Sequence, residues 1–504
     1  MRSVLLFRPP VSRFAVVVYT AIVIASISIA SVFYGRPRRW TVAEVPVAFW
    51  AWRTQAPDEF DLRTAMETTG ARTVFLRAGQ IDYRDGKLVR IRPLAGSLPK
   101  GIELHLVYKA TPALLKQLEN VDPQTLALVV YSAYRDDLDR ARQDNAIIRG
   151  LQLDLDVPTR LLPLYKATLK QLRRNLGHES QLSITGLPTW MESSDLGQVL
   201  DWVDFWIPQF YGAEIPQRPD QAIPITSPEN VTYFINKARK LERPFYAGLA
   251  AYSFALLYNS SGALLSLRGD MDPSSIAADP NLELIDQRPV DAEWRYSFRA
   301  RADGVTDGLN LRAGDVLVVD VPTAESLRLA ARTVRELAGR KLLGICVFRL
   351  PSRDDPATLT LEQVSSALAD RESTAGIDVQ ITREQSKLLL KCRNNGTASS
   401  LVGSLKVDLA LPAVSIGPAR SDPGVLIEPM CAGFNAMLQP CSQRRANVIR
   451  FTPRVLAPGQ SFSALLVLNR EPPPAMKVSI TMKTDTGQLY SVAREIPIEP
   501  GVNQ

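Results

Sequence analysis

The chain has 504 residues, of which 46% are hydrophobic and 22% are charged, and these fractions exclude an intrinsically disordered protein. Its length exceeds the roughly 250 to 300 residues at which chains usually split into domains. The formal net charge is +7, but residues 1–40 hold six arginines and no acidic residue, so the rest carries only 7 − 6 = +1. We therefore expect no basic surface of the kind that binds nucleic acid.

Residues 1–40 are predicted to form an N-terminal membrane anchor or signal segment. The uncharged run Phe14–Tyr34 is 21 residues long, enough for a transmembrane helix across a hydrocarbon core of roughly 30 Å. Cleaved signals have apolar regions of about 7 to 15 residues, so the length favours an uncleaved anchor. The very short N-terminal tail favours a cytoplasmic N-terminus. We expect a single-pass protein of the cell membrane, with the bulk of the chain periplasmic or extracellular.

Residues 41–372 are predicted to form a (β/α)8 TIM-like barrel. Short apolar runs alternate with stretches of helical spacing, which is typical of parallel βαβ units. A further run, Thr125–Tyr134, continues into a polar stretch without a breaker and is assigned to a helix. Eight runs are assigned to strands: 45–52, 73–79, 101–108, 150–158, 181–188, 203–212, 244–252 and 342–351.

Two further regions complete the predicted architecture. The span of about 254–322 is too long for one loop and is interpreted as an insertion over the barrel mouth after strand seven. Residues 373–504 alternate in polarity between Asn-Gly, Pro-Gly and Pro-Pro-Pro turns, which predicts a C-terminal all-β sandwich. There, Cys431 and Cys441 could pair in an oxidising compartment. No metal site or cofactor is expected, since a chain with two histidines excludes a histidine-rich zinc centre.

The stretch "GLQLDLDVP" in the fourth predicted strand carries the candidate catalytic residues. Strand alternation places its leucines toward the helices and Gln152, Asp154 and Asp156 toward the barrel interior. Asp156 would lie nearest the mouth, where barrel enzymes have their active sites. Like-charge repulsion and burial would raise the pKa of one carboxyl, as a general acid requires. Alternatively, the aspartates cap the next helix or bind a lysine or arginine inside the barrel.

The motifs "GLQLDLDVPTRLLPLYKATLKQLRRNL", "LSITGLPTWM" and "VDFWIPQFYG" resemble, in this order, a bacterial family known as domain of unknown function 3142, over roughly residues 45–360. The pattern is distantly similar to the family 18 glycoside hydrolases, whose fourth strand ends in Asp-Gly-x-Asp-x-Asp-x-Glu. The resemblance places the motif's third aspartate on Asp154 and its catalytic glutamate on Asp156. Arg149 and Gln152 occupy the positions of the first two aspartates, and Asp156 is one methylene shorter than glutamate.

The same resemblance extends to the substrate-binding residues. "PQFYG" is similar to the chitinase strand that supplies a tyrosine to the substrate's acyl group, which implies this role for Tyr211 with Gln209 beside it. Tyr211 could equally pack at the rim. Trp52 and Trp190 lie next to loops at predicted strand ends and are the candidates for stacking on a sugar ring.

We therefore expect a membrane-anchored, exported glycoside-hydrolase-like barrel that acts on or binds a polysaccharide. Asp156 would be the general acid, and Asp154 would orient it. The alternative is a catalytically inactive carbohydrate-binding or envelope scaffold protein. An open groove at Asp156 would favour the enzyme, whereas a closed salt bridge to Arg77 or Arg349 would favour the scaffold. A mechanism with two carboxylates needs a second acidic residue, and Glu214 is a candidate only by its position in the sequence.

Overall fold

The structure is a computed structural model that describes residues 39–500, except residues 54, 270, 354, 356, 412–415, 433–436 and 470. The predicted anchor, Phe14–Tyr34, lies outside the described residues. Within the described part of the chain, no helix combines the length and apolar character that a membrane span requires.

The first two thirds of the chain alternate strands with helices. The strands are β1 (Val47–Ala51), β2 (Thr73–Arg84), β3 (Lys87–Ile91), β4 (Glu103–Ala110), β5 (Ile147–Asp154), β6 (Gln181–Gly186), β7 (Phe205–Pro208), β8 (Phe245–Ala250), β9 (Phe254–Tyr258), β10 (Leu264–Arg268), β11 (Leu282–Val290), β12 (Glu293–Ala300), β13 (Gly304–Thr306), β14 (Leu309–Leu311), β15 (Val316–Val321) and β16 (Leu342–Phe348). The helices are α1 (Glu59–Thr69), α2 (Pro112–Gln117), α3 (Pro123–Asp144), α4 (Leu162–Leu176), α5 (Leu196–Leu200), α6 (Pro228–Lys240), α7 (Pro273–Ala278), α8 (Ala324–Leu337) and α9 (Leu361–Leu368). Short 3-10 helices span Val42–Glu44, Leu118–Asn120, Thr159–Leu161, Pro188–Glu192 and Gly339–Lys341.

Eight parallel strands close into a barrel. Their order is β1-β2-β4-β5-β6-β7-β8-β16, and β16 pairs with β1 to complete the ring. The barrel predicted from the sequence is confirmed, and each of the eight predicted runs supplies one strand. The hairpin between β2 and β3 was not predicted. It extends β2 to Arg84, so that Arg77 lies in the interior of the strand.

The helices pack around the barrel by burying one face each. In α4, residues Leu162, Tyr165, Leu169, Leu172 and Leu176 are buried at helical spacing. Helix α3 begins after Asp122, whose side chain accepts a hydrogen bond from the backbone of Thr125, and ends at Asn145 in a left-handed conformation. It contains the run Thr125–Tyr134, so the helical assignment of that run is confirmed.

Strands β9 to β15 lie between β8 and α8, within the span predicted as an insertion. Five of them form an antiparallel sheet in the order β10-β9-β15-β12-β11, and β13 and β14 form a separate hairpin. One face of the sheet packs on a core that includes Leu257, Phe298 and Val319. The opposite face includes Leu256 and Val318, and Leu256 contributes to a cavity at the barrel mouth.

The C-terminal region is β-rich, as expected. Its strands are β17 (Ile377–Glu384), β18 (Lys387–Asn394), β19 (Lys406–Ala410), β20 (Ile416–Ser421), β21 (Val425–Ala432), β22 (Leu438–Pro440), β23 (Val448–Pro453), β24 (Ser461–Leu468), β25 (Ala475–Lys483) and β26 (Leu489–Pro500). The long strand β26 pairs with both β25 and β17, which joins all ten strands into one sheet. Strands on both sides of β26 in this sheet contribute to one hydrophobic core. Cys431 and Cys441 form a disulfide, with their Cα atoms 5.9 Å apart.

Candidate functional site

Strand β5, which is the fourth strand of the barrel, and the residues just after it place two aspartates at the barrel mouth. Strand β5 ends at Asp154, and Asp156 follows with a positive φ of 45°. Leu151, Leu153 and Leu155 belong to the core between strands and helices, so the predicted alternation is confirmed. Asp154 is buried, whereas the Asp156 side chain is 30% exposed. The two carboxyl groups thus reach the mouth at different depths.

Gln152 occupies the barrel interior below the aspartates. Its Oε1 accepts a hydrogen bond of 2.8 Å from Trp50 Nε1, and its Nε2 donates to Ser183 Oγ at 3.3 Å. The Gln152 side chain is fully buried. At a position where the family 18 motif has an aspartate, this chain therefore has a neutral amide that links three strands of the barrel.

Lys109 is the main site residue that the sequence analysis missed. Strand pairing places Lys109 beside Asp154, with Nζ 3.7 Å from Asp154 Oδ2 and 3.4 Å from Asp156 Oδ2. The same ammonium lies 4.4 Å from the centre of the Trp52 ring. A lysine at the end of the strand that precedes "GLQLDLDVP" was the available signal, but pairing its position with Asp154 requires the strand register.

The charges at the mouth set the protonation of Asp156. Burial, and then repulsion from Asp154, raise the pKa of Asp156 to about 6, and Lys109 opposes this rise. Burial disfavours the Lys109 ammonium, but attraction to Asp154 and Asp156 outweighs it and raises the Lys109 pKa. Near pH 6 the site therefore holds a carboxyl that exchanges its proton readily, beside a lysine that stays charged.

Neither of the two arginines named in the sequence analysis forms the salt bridge to Asp156 that was expected for an inactive scaffold. Arg349 binds Asp355 through two hydrogen bonds of 2.8 and 2.9 Å. Arg77 donates to the Trp52 carbonyl oxygen at 3.2 Å. Asp156 instead pairs with Lys109 and keeps part of its surface open.

A cavity of about 400 Å³ opens above these charges. Its size falls within the roughly 300 to 1,000 Å³ typical of small-molecule sites. The polar floor contains Asp154, Asp156, Lys109 and Thr185, and the Thr185 hydroxyl donates to Asp154 Oδ1 at 2.8 Å. Aromatic side chains form the adjoining wall: Trp50, Trp52, Tyr211, Tyr252, Phe254 and Phe348.

The structure brings most of the predicted binding residues to this cavity. Trp52, Gln209 and Tyr211 line it, as does the exposed Glu214. The Tyr211 ring stacks on Phe348 with a centroid separation of 6.3 Å. Burial raises the Tyr211 pKa well above its ordinary value, so its hydroxyl keeps its proton.

The placement of Trp190 at the mouth is wrong. Trp190 is fully buried, and its Nε1 donates to the Val157 carbonyl oxygen at 2.7 Å. Its ring packs edge-on against Tyr165 of α4. The short helix Pro188–Glu192 turns the indole back toward the helix layer, so Trp190 fastens the segment after Asp156 and cannot contact a ligand.

No group of three or more histidine, cysteine, aspartate or glutamate side chains within the described ranges is arranged to hold a metal ion. Asp154 and Asp156 share Lys109 as their cation. The chemistry of this donor set is that of proton transfer and ion pairing.

Part of this chain matches a known family model. Residues 114–282 match the family model "Domain of unknown function (DUF3142)", a narrower range than the resemblance noted from the sequence. Comparison with curated protein sequences gives no match.

Solved structures similar to this chain include chitinase-like barrels. One is a chitinase from Chromobacterium violaceum ATCC 12472, with 14% identity, coverage of 65% of this chain and 100% of that chain, and a TM-score of 0.43. Another is a family GH18 chitinase from Chromobacterium violaceum, with 10% identity, coverage of 90% and 92%, and a TM-score of 0.40. A third is the spore cortex-lytic enzyme SleL of Bacillus cereus, with 14% identity, coverage of 65% and 74%, and a TM-score of 0.42.

Proposed function

We propose that this chain binds a glycan in the cavity at the barrel mouth and hydrolyses a glycosidic bond there, with Asp156 as the general acid. One observation carries the proposal: a partly exposed carboxyl whose pKa is raised to about 6 lies in an aromatic-walled cavity of small-molecule size. A general acid works best when its pKa lies near the working pH. Aromatic walls suit the apolar faces of sugar rings.

The neighbours of Asp156 have distinct roles in this mechanism. Asp154 is held by Thr185 and Lys109 beside Asp156, and its repulsion adds to burial in raising the pKa of Asp156. Lys109 limits that rise and stabilises the carboxylate that remains after Asp156 donates its proton. The protonated Tyr211 hydroxyl can donate a hydrogen bond to charge that develops on the substrate. Gln209 and Trp52 would hold the sugar.

A second carboxylate would be needed to activate water or to act as the nucleophile. Glu214 and Asp320 both line the cavity. Asp320 is bound by Arg295 through contacts of 2.6 and 2.8 Å, which ties its charge to a structural pair. Glu214 is exposed at the rim and is the better candidate. A substrate-assisted reaction would proceed without either group.

The second candidate function is glycan binding without hydrolysis. It is favoured by the contacts of Lys109 with both aspartates, because a persistent ion pair would hold Asp156 ionised when a ligand excludes water. The two candidates share the binding site and differ in whether Asp156 releases a proton to the ligand.

The test uses the purified full-length chain with a panel of envelope and environmental polysaccharides. Release of reducing ends and ligand binding are measured for the wild type, for Asp156→Asn, and for the control Asp136→Asn. Asp136 is exposed on α3, outside the cavity. Hydrolysis that is lost in Asp156→Asn and kept in the control supports the acid. Hydrolysis that survives Asp156→Asn rejects it, and binding without turnover in all three chains selects the second function.

We also propose that the chain is exported and stays anchored by Phe14–Tyr34. The disulfide between Cys431 and Cys441 supports export, because such bonds persist mainly in oxidising compartments. Protease treatment of spheroplasts, in which the outer envelope is opened and the cytoplasmic membrane is intact, should degrade residues 41–504 if they lie outside that membrane. Protection of that region until the cytoplasmic membrane is lysed would refute export.

A further inference from the structure

One side of the cavity is apolar in a way that sugar recognition does not require. Strands β9 and β10 of the inserted sheet contribute Leu256 and Leu267, which lie opposite each other in the strand register. The loop between β7 and α6 contributes Ile215, Ile223 and Ile225. We call these five side chains the aliphatic wall. Sugars present hydroxyl groups in most directions, so aliphatic side chains gain little from contact with them.

Two members of the aliphatic wall are exposed. Ile215 is 46% exposed and Leu267 is 41% exposed. Exposed large aliphatic side chains at the rim of a cavity are typical of surfaces that are covered when a ligand binds. Leu256 is almost fully buried behind them, so the apolar surface continues from the rim inward.

The loop between β7 and α6, which carries the three isoleucines of the wall, is held in place by hydrogen bonds between the inserted sheet and its backbone. Glu293 accepts hydrogen bonds from the amides of Ile225 and Thr226, at 2.6 and 3.0 Å. The Tyr258 hydroxyl donates to the Pro216 carbonyl oxygen at 2.8 Å. Arg295 donates to the Gln221 carbonyl oxygen. A loop fastened at these points is a built surface, because its side chains are positioned before any ligand arrives.

We infer that the ligand is an amphiphilic glycoside: a sugar seated over the polar floor that carries a hydrocarbon chain along the aliphatic wall. The inference rests on the proposed function for the sugar half of the site. The hydrocarbon chain is covalently attached to the sugar, because the polar floor and the aliphatic wall belong to one cavity. The chain could be joined through the anomeric oxygen or through an amide on the ring, and both linkages present the same hydrocarbon.

The size of the expected effect follows from the burial of methylene groups. Each buried methylene contributes about 0.8 kcal/mol, so each one that reaches the wall should lower Kd about fourfold. Going from a methyl to a hexyl glycoside adds five methylenes. Even if only half of them are buried, Kd should fall by more than about tenfold.

The experiment measures Kd for methyl, butyl and hexyl glycosides of glucose and of N-acetylglucosamine, each below its micelle concentration. A second arm uses glucosamine with N-acetyl, N-butanoyl and N-hexanoyl groups and separates the two linkages. The protein is the full-length chain, in phospholipid nanodiscs where it needs lipid. Leu267→Ser removes part of the wall. Leu265→Ser is the matched control, since Leu265 is 55% exposed on the same strand and lies outside the cavity lining.

A Kd that falls with chain length in either arm, with a shallower slope in Leu267→Ser and an unchanged slope in Leu265→Ser, supports the inference. The inference is overturned if Kd does not change with chain length or if no member of the series binds. It is also overturned if both variants lose the same part of the chain-length dependence. Hydrolysis is followed separately. A chain-length slope without hydrolysis would leave the amphiphilic site intact and reject the proposed enzyme. Hydrolysis that does not depend on chain length would support the proposed enzyme and reject the amphiphilic site.

Discussion

Lys109→Met tests whether the ion pairs at the barrel mouth set the protonation of Asp156. The substitution keeps an apolar stem but removes the ammonium that lies 3.7 Å from Asp154 Oδ2 and 3.4 Å from Asp156 Oδ2. With that cation gone, repulsion from Asp154 is no longer opposed. We expect the Asp156 pKa to rise above its present value of about 6.

The separation of Lys109 Nζ and Asp156 Oδ2 sets the size of this rise. Two unit charges 3.4 Å apart attract by about 5 kcal/mol at an effective dielectric constant of about 20. The Asp156 side chain is 30% exposed, so solvent screens much of this attraction. We expect a shift of about 1 to 2 pKa units, equivalent to about 1.4 to 3 kcal/mol.

The assay is the pH dependence of thermal stability. The Asp156 pKa is raised above its ordinary 3.8, so the stability that this group contributes is present below about pH 4 and is lost as the pH rises through about 6. Asp156→Asn removes this titration. The difference in Tm between the wild type and Asp156→Asn cancels other buried carboxyls with raised pKa values, such as Glu293 and Asp485.

Four chains are compared by calorimetry between about pH 4 and pH 9: the wild type, Asp156→Asn, Lys109→Met and the double variant. The advantage in Tm of the asparagine variant should level off above about pH 6 in the wild-type background. It should keep growing to about pH 7 or 8 in the Lys109→Met background, following the shift estimated above. Two difference curves that coincide would refute the role given to Lys109.

Four further changes test the roles of buried and cavity-lining side chains and of the disulfide. Trp190→Ala should lower the free energy of unfolding by about 3 to 5 kcal/mol, because a fully buried indole is lost. Trp52→Ala should unfold like the wild type but bind glycan about three- to tenfold more weakly, as calorimetric titration would measure. Glu293 has a pKa raised by burial to about 8, so its contribution to stability is lost as the pH rises from about 4.5 through 8. Glu293→Gln should flatten that decline in a series of urea melts, and an unchanged slope would contradict it. Replacing Cys431 and Cys441 with serine should cost about 2 to 3 kcal/mol, because the bond closes a ten-residue step.

The barrel could be predicted from local patterns because parallel strands buried on both faces are apolar runs with helices between them. The direction of the side chains in "GLQLDLDVP" was equally local, since alternation along a strand follows from its geometry. That alone assigned Gln152, Asp154 and Asp156 to the interior. The resemblance of "PQFYG" to a chitinase strand, rather than alternation, pointed to Gln209 and Tyr211, which lie just after the end of β7.

The features that the sequence did not determine depend on contacts between distant segments. Trp52 and Trp190 both lie beside loops, and only packing decides that one lines the cavity while the other is buried against α4. Lys109 meets the aspartates because the register of β4 against β5 places it beside Asp154. The aliphatic wall exists because an inserted sheet folds back over the mouth and holds a loop by its backbone. The sequence alone thus determined the barrel and its inward-facing aspartates, whereas strand register and tertiary packing decided which groups surround them.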